Sequence, residues 1–162
     1  MKLSRYFTLF VALCLCLTGC SGQKYPDGMP KLVPCEITIQ QEGQPLADAM
    51  VSLIPTQGDN KWSANGRTDD AGKAVIYTWG KYEGAAEGSY KVVVGKTHTD
   101  SAPQAASSDE ETRRPQQDKT YNLVEEVYSE ASTTPLEIEL KKGTKEFTLD
   151  AGKAIKKLIP MR

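Results

Sequence analysis

The chain has 162 residues, of which 20 are basic, 21 are acidic and 39% are hydrophobic, with a net charge of −1. This length allows one ordinary domain with short appendages. Because nucleic-acid binding depends on a clear excess of basic residues, the near-neutral charge excludes that class, and we predict no nucleic-acid partner.

The first 19 residues have the pattern of a secretory signal peptide. Lys2 and Arg5 precede an apolar run over residues 7–17, and small residues follow it. The apolar run is too short to cross a bilayer as a permanent helix. We therefore expect residues 1–19 to be removed, which leaves 143 residues with 18 basic and 21 acidic side chains, a net charge of −3.

The end of this segment resembles the signal box of bacterial lipoproteins at every position of that short motif. In that family the cysteine thiol receives a diacylglyceryl group, the signal is cut before the cysteine, and the new amine is acylated with a fatty acid such as palmitate. Several acyl chains would hold the protein on the membrane. The alternative is an ordinary secretory signal with a chance cysteine. The residues of the box are Leu17, Thr18 and Gly19, with lipidation at Cys20.

The residue after the box and the remaining cysteine complete this interpretation. Ser21 stands where an Asp would indicate inner-membrane retention in that family, so the resemblance favours the outer membrane. Cys14 and Cys16 leave with the signal, and Cys35 then has only the lipidated Cys20 as another cysteine. No intramolecular disulfide is available, and the domain must depend on its apolar core.

Residues 20–31 are polar and rich in Gly and Pro, which predicts a flexible tether ahead of a domain over residues 32–152. From Cys35 the apolar residues alternate with polar ones, as Ile37 and Ile39 show, and this is typical of a half-buried strand. The alternation places Cys35 in the core. Further strands are predicted over 49–54, 62–67, 73–78 and 90–94, with Gly-rich turns between them.

The last third of the chain contains three segments of different character. Residues 97–120 contain no Leu, Ile, Val, Met or aromatic residue, which predicts a mobile excursion. Alternating residues over 136–140 and 147–149, joined by a turn at 142–145, predict a hairpin. Residues 153–162 form a basic-apolar tail to which the pattern assigns no particular structure.

About seven short strands separated by turns predict an all-β domain, a single Greek-key β-sandwich. The segments 43–49 (GQPLADA) and 68–73 (TDDAGK), and Gly88-Ser89-Tyr90 before a valine run, resemble a carboxypeptidase regulatory-like domain. That resemblance implies a transthyretin-type sandwich. It is nearly silent on activity, because its motifs are turn and hairpin chemistry. The chain as a whole resembles small bacterial lipoproteins built on this fold.

Residues that could support catalysis or bind a metal are few. His98 is the single histidine, so zinc, iron and His-paired nucleophile sites of related sandwich enzymes have too few ligands, and we predict no metal and no cofactor. Asp69 and Asp70 could suggest calcium, but adjacent carboxylates without a spaced series of ligands favour a turn. A carboxylate-based hydrolase is a distant alternative. It would require convergence of carboxylates from among Glu83, Glu87, Glu125 and Glu126.

The best candidates for ligand binding are the aromatic residues Trp62, Trp79 and Tyr82, together with Tyr77. Aromatic faces near polar amides such as Asn65 and Asn60 could stack on sugar rings. The alternative is that one tryptophan anchors the core and the others cover its edge, because large aromatic side chains dominate small cores.

Three hypotheses for function follow. The first is a non-enzymatic, lipid-anchored protein of the cell envelope whose sandwich is a structural or protein-interaction module. The second is a module that binds glycans or the cell wall through its aromatic side chains. The hydrolase is the third. The expected partners are the membrane, through the N-terminal lipid, and an envelope protein or polysaccharide.

Overall fold

The computed structural model describes residues 24–58, 61–101 and 118–160, and this part of the chain is all-β. It contains fifteen short strands in several sheets, most of them antiparallel, and one turn of 3-10 helix at Glu126–Tyr128. The strands are β1 (Leu32–Val33), β2 (Glu36–Gln41), β3 (Gln44–Pro45), β4 (Met50–Pro55), β5 (Ala64–Arg67), β6 (Lys73–Val75), β7 (Tyr77–Thr78), β8 (Tyr82–Glu83), β9 (Ala85–Ala86), β10 (Gly88–Gly95), β11 (Thr97–Asp100), β12 (Lys119–Asn122), β13 (Glu137–Leu140), β14 (Glu146–Asp150) and β15 (Lys157–Leu158).

The largest sheet has six antiparallel strands in the order β13-β10-β4-β5-β7-β8. Its longest strand is β10, which pairs with β4 so that Val92 lies opposite Leu53. Val92 and Val94 alternate with partly exposed residues, as expected for a strand with one face on the core. Three valines in succession favour this extended conformation because their branched side chains restrict χ1.

A second sheet is organised around β2, which pairs with β14, β3 and β6. The pairing of β2 with β14 is parallel, with Ile37 opposite Phe147. The predicted hairpin over residues 136–149 is therefore wrong, because β13 belongs to the first sheet and β14 to the second. The turn between them carries the chain from one sheet to the other. Alternation indicates which side of each strand faces the core, and it does not specify which strand lies beside it.

One hydrophobic core receives side chains from both sheets, which is a sandwich-like arrangement. Ile37 and Ile39 of the second sheet are fully buried, as are Val92 and Val94 of the first. Cys35 is 2% exposed, so its predicted place in the core is confirmed. Burial without a compensating charge raises the pKa of the Cys35 thiol from 9.0 to about 11.

A buried hydroxyl also stabilises one end of this core. Thr68 Oγ1 donates to the Leu46 carbonyl at 2.7 Å and accepts from the Ala49 amide at 2.7 Å, and the residue is 4% exposed. The hydroxyl satisfies backbone groups that the turn before β4 leaves without ladder partners, and such groups are costly to bury unpaired.

A third sheet, of order β11-β12-β15, changes one assignment made from sequence and gives the tail a structure that the sequence left open. Thr97–Asp100 and Lys119–Asn122 form an antiparallel pair, so both ends of the segment assigned to a mobile excursion are strands. Lys157–Leu158 pairs with β12, and the tail thus contributes a strand as well. All four side chains of Thr97–Asp100 are exposed. The strand is therefore held by its backbone hydrogen bonds to β12 and not by apolar burial. Residues 102–117 lie outside the described residues.

The predicted signal peptide and lipidation site also lie outside the described residues, which begin at Lys24. Within the predicted tether, the Tyr25 ring contacts the Tyr82 ring with 5.2 Å between their centroids. In the part of the chain that the structure describes, no helix has the length and apolar character needed to cross a membrane.

Candidate functional site

The structure brings two of the predicted ligand-binding residues, Trp62 and Trp79, into direct contact. Their ring centroids lie 4.6 Å apart and the planes are tilted by 39°. The Trp79 Nε1–H donates to the Lys61 carbonyl at 3.3 Å, and this bond fixes the direction of the indole. Trp79 is 48% exposed and Trp62 is partly exposed. Neither tryptophan belongs to the hydrophobic core, so the interpretation of a tryptophan as a core anchor is wrong.

Trp79 is presented by the tight turn between β7 and β8. Both central residues of this turn have positive φ, 54° at Trp79 and 64° at Gly80, and the Lys81 amide donates to the Thr78 carbonyl at 3.2 Å. Positive φ at two successive residues is the requirement of a type I′ hairpin turn, for which Asn-Gly is the preferred pair. A bulky residue at the first of these positions is an outlier, and such strain is concentrated at functional sites.

Tyr82 lies on the same hairpin but differs in accessibility. It is 5% exposed, its ring contacts Tyr25, and the Lys81 ammonium lies 5.1 Å from its ring centroid. Little of the Tyr82 ring is therefore left to meet a ligand, and its observed contacts support the hairpin that carries Trp79.

A groove runs beside Trp62 between the end of β4 and the start of β10. Its volume is about 390 Å³. Thr56 joins the two sides, because its amide and its hydroxyl both donate to the Ser89 carbonyl, at 2.9 and 3.1 Å. Sequence reasoning missed most of this groove, since its residues come from two segments that are distant in the chain. The lining residues are Pro55, Thr56, Gln57, Gly58, Trp62, Ala86, Glu87, Gly88, Ser89 and Tyr90.

Exposed apolar side chains cluster where β4, β5 and β7 of the six-stranded sheet lie beside β6 of the second sheet. Met50 is 46% exposed, Val75 39% and Tyr77 38%, and they surround an open depression of about 530 Å³. Gly66 lies beneath this depression, where an added Cβ would be 2.5 Å from the Val75 carbonyl oxygen. Asn65 and Arg67 add polar groups at the margin of the depression.

The residues considered for metal binding have other partners. Asp69 Oδ1 accepts hydrogen bonds from the Ala71 and Lys73 amides, both at 2.9 Å, which is the turn-forming role that the sequence favoured. His98 Nε2 lies 2.9 Å from Asp100 Oδ1 on the exposed strand β11. Among the described residues, no group of three or more His, Cys, Asp or Glu side chains could hold a metal ion.

Two of the carboxylates considered for a hydrolase hold the C-terminal segment against the domain. Glu126 Oε2 lies 2.7 Å from the Lys157 ammonium, whose hydrogen bond and charge lower the pKa of Glu126. Glu125 Oε2 accepts from the Lys153 amide at 3.3 Å. A general acid needs a raised pKa, which is the opposite of the shift at Glu126. Glu83 and Glu87 are exposed.

In comparisons with known proteins, no family model, no curated protein and no solved structure matches this chain.

Proposed function

We propose that the protein is a lipid-anchored component of the cell envelope whose domain is a non-catalytic structural or protein-interaction module. The anchor is the acylated Cys20, and Ser21 favours the outer membrane. The sandwich-like packing of two sheets on one core supports the finer proposal of a Greek-key, transthyretin-type fold with about seven principal strands. The sequence resemblance to carboxypeptidase regulatory-like domains supports the same proposal.

The observation that carries this function is the exposed apolar surface formed by Met50, Val75 and Tyr77. Met50, Val75 and Tyr77 come from three different strands and leave a shallow, largely apolar surface in the solvent. Exposed apolar residues scattered singly are ordinary, whereas a contiguous group with a polar margin indicates an interaction surface. Their positions are fixed by the β-ladders beneath them, so little ordering would accompany binding.

Site-specific photo-cross-linking in intact cells tests this proposal. A photoreactive residue at Val75 is expected to form one reproducible protein adduct, because this side chain is exposed and lines the apolar depression. The same residue at Thr148, which is exposed on β14 and does not line this depression, is the matched control. Met50→Glu should abolish the adduct by placing a charge in the interface. Equal, non-specific adducts at both positions would contradict the interaction module.

The anchor is tested separately with Cys20→Ala. Loss of the acylated cysteine should leave unprocessed precursor or protein released from the membrane, which fractionation and mass spectrometry of the N-terminus detect. Complete processing with unchanged membrane retention would contradict the lipoprotein assignment.

A second candidate function is glycan or cell-wall binding, and the contact between Trp62 and Trp79 favours it. The pair combines a partly exposed indole with one that is 48% exposed, and aromatic faces of this kind stack on the apolar faces of sugar rings. The indole of Trp79 is held by the backbone of Lys61, so the pair is ordered before any ligand arrives.

A further inference from the structure

We propose that the groove between β4 and β10 is a saccharide-binding site that takes about two rings of an uncharged glycan, with Trp62 as the stacking surface. This inference rests on the glycan-binding candidate above and adds the position of the site and the chemical class of its ligand. The groove volume of about 390 Å³ lies in the range of ordinary small-molecule sites.

The groove is formed in advance of binding. Its two sides are the segments 55–58 and 86–90, and Thr56 joins them through two hydrogen bonds to the Ser89 carbonyl. The Tyr90 hydroxyl donates to the Ala86 carbonyl at 2.7 Å, and this bond connects the two ends of the segment 86–90. A groove held in this way loses little conformational entropy when it accepts a ligand, and this favours binding of a small, flexible chain.

The stacking surface is in contact with a strained residue. Trp79 packs against Trp62 at 4.6 Å and occupies a backbone conformation that a bulky side chain rarely adopts. Packing onto the core does not account for a tryptophan at this turn position, since Trp79 is 48% exposed. Strain retained at an exposed aromatic residue is a mark of function, and here its effect is to fix the position of the Trp62 ring.

The polar groups of the groove determine the class of ligand. Thr56, Gln57 and Ser89 supply hydroxyl and amide groups, which pair with sugar hydroxyls. Glu87 is the charged side chain among the lining residues, and the Lys61 ammonium lies 5.2 Å from the Trp62 ring centroid. The acidic Glu87 in the lining and the basic Lys61 next to Trp62 offset each other, so the site offers no net attraction to an anionic sugar. An uncharged saccharide therefore fits the site best.

Intrinsic fluorescence gives a direct test, because the chain contains two tryptophans and both belong to this pair. The full-length protein in detergent is titrated with three uncharged probes, chitotetraose, cellotetraose and maltotetraose, and with tetragalacturonate as an anionic probe. At least one uncharged probe should give a saturating change with a dissociation constant of about 1 mM or below. Tetragalacturonate should bind roughly tenfold more weakly, or not at all.

Three variants separate the groove from other surfaces. Trp62→Ala should weaken binding roughly tenfold or more, with Trp79 remaining as the reporter. Glu87→Lys changes an exposed side chain without loss of packing, and it should raise the affinity for tetragalacturonate roughly tenfold. Tyr77→Ala, in the exposed apolar depression, is the matched control and should bind like the wild type.

The outcomes distinguish this inference from the function on which it rests. No response of the wild type to any uncharged probe overturns both the groove and the glycan-binding candidate. Saturable binding that survives Trp62→Ala, or that Tyr77→Ala abolishes, leaves glycan binding in place and overturns the groove. An affinity for tetragalacturonate that is unchanged in Glu87→Lys also overturns the groove. This result is independent of folding, because the substitution of an exposed side chain removes no packing.

Discussion

Trp79 occupies the first of two turn positions with positive φ, and two substitutions at this residue separate backbone strain from side-chain packing. Trp79→Asn and Trp79→Ala both remove the indole, its contact with Trp62 and its hydrogen bond to Lys61. They differ in the turn itself. Asn followed by Gly80 is the favoured pair for such a turn, whereas Ala keeps the strain of a non-glycine residue.

The expected magnitudes follow from these differences. Left-handed backbone costs an ordinary residue about 1–2 kcal/mol, and Asn avoids much of this cost. Trp79→Asn should therefore be more stable than Trp79→Ala by about 1 kcal/mol. An aromatic pair contributes about 0.5–1.5 kcal/mol, so we expect Trp79→Ala to lie below the wild type by about 1 kcal/mol and Trp79→Asn to lie close to it.

Urea unfolding followed by circular dichroism measures both free energies of unfolding, with equal slopes as the control for an unchanged transition. The difference between the two variants corresponds to about 3 °C in melting temperature for a chain of this size. Stabilities of the Asn and Ala variants that agree within about 0.3 kcal/mol would refute the strain argument. In that case Trp79 could no longer be taken as a residue retained at a structural cost.

Three further predictions concern the core and its turns. The pKa of the Cys35 thiol rises from 9.0 to about 11 on folding, so its contribution to stability is complete below pH 9 and is lost as the pH rises through about 11. Relative to Cys35→Ala, the free energy of unfolding of the wild type should fall by roughly 2–3 kcal/mol as the pH rises from 9.0 to about 11, which urea unfolding measures. Parallel pH profiles of the two proteins would contradict the burial of the thiol. Thr68→Val should lower the free energy of unfolding by about 1–3 kcal/mol, because it leaves two buried backbone groups without the Thr68 hydroxyl, whereas a neutral result would show that they find other partners. Gly72→Ala should cost about 2 kcal/mol or more, since Gly72 has a φ of 75° and an added Cβ would lie 2.5 Å from the Ile39 carbonyl oxygen. Gly43 has a φ of 76° but open space around an added Cβ. The free energy of unfolding of Gly43→Ala therefore measures the backbone cost without the steric one.

The positions of individual core residues could be predicted from the sequence because burial in a strand follows a period of two. Cys35, Ile37 and Ile39 alternate with polar residues, and all three are buried. The turn at Asp69 was equally readable, since the hydrogen bonds of an Asp side chain to nearby amides depend on local spacing alone. Such properties involve residues that are close in the chain.

Strand neighbours could not be predicted in the same way, as β13 and β14 show. Both alternate correctly, yet they join different sheets, and β14 lies parallel to a strand more than one hundred residues earlier. The strands at 97–100 and 157–158 were missed because they bury little, and apolar burial was the signal that the sequence offered.

The sequence by itself determined the chemistry available to this protein: an apolar run followed by a signal box at Cys20, alternating strands, one histidine and two tryptophans. The tertiary structure alone decided where that chemistry lies. It placed Trp62 and Trp79 in contact, left Tyr82 5% exposed, and formed a groove from segments some thirty residues apart. The reason is physical, since local patterns determine which face of a strand is buried, while long-range pairing determines which residues share a surface.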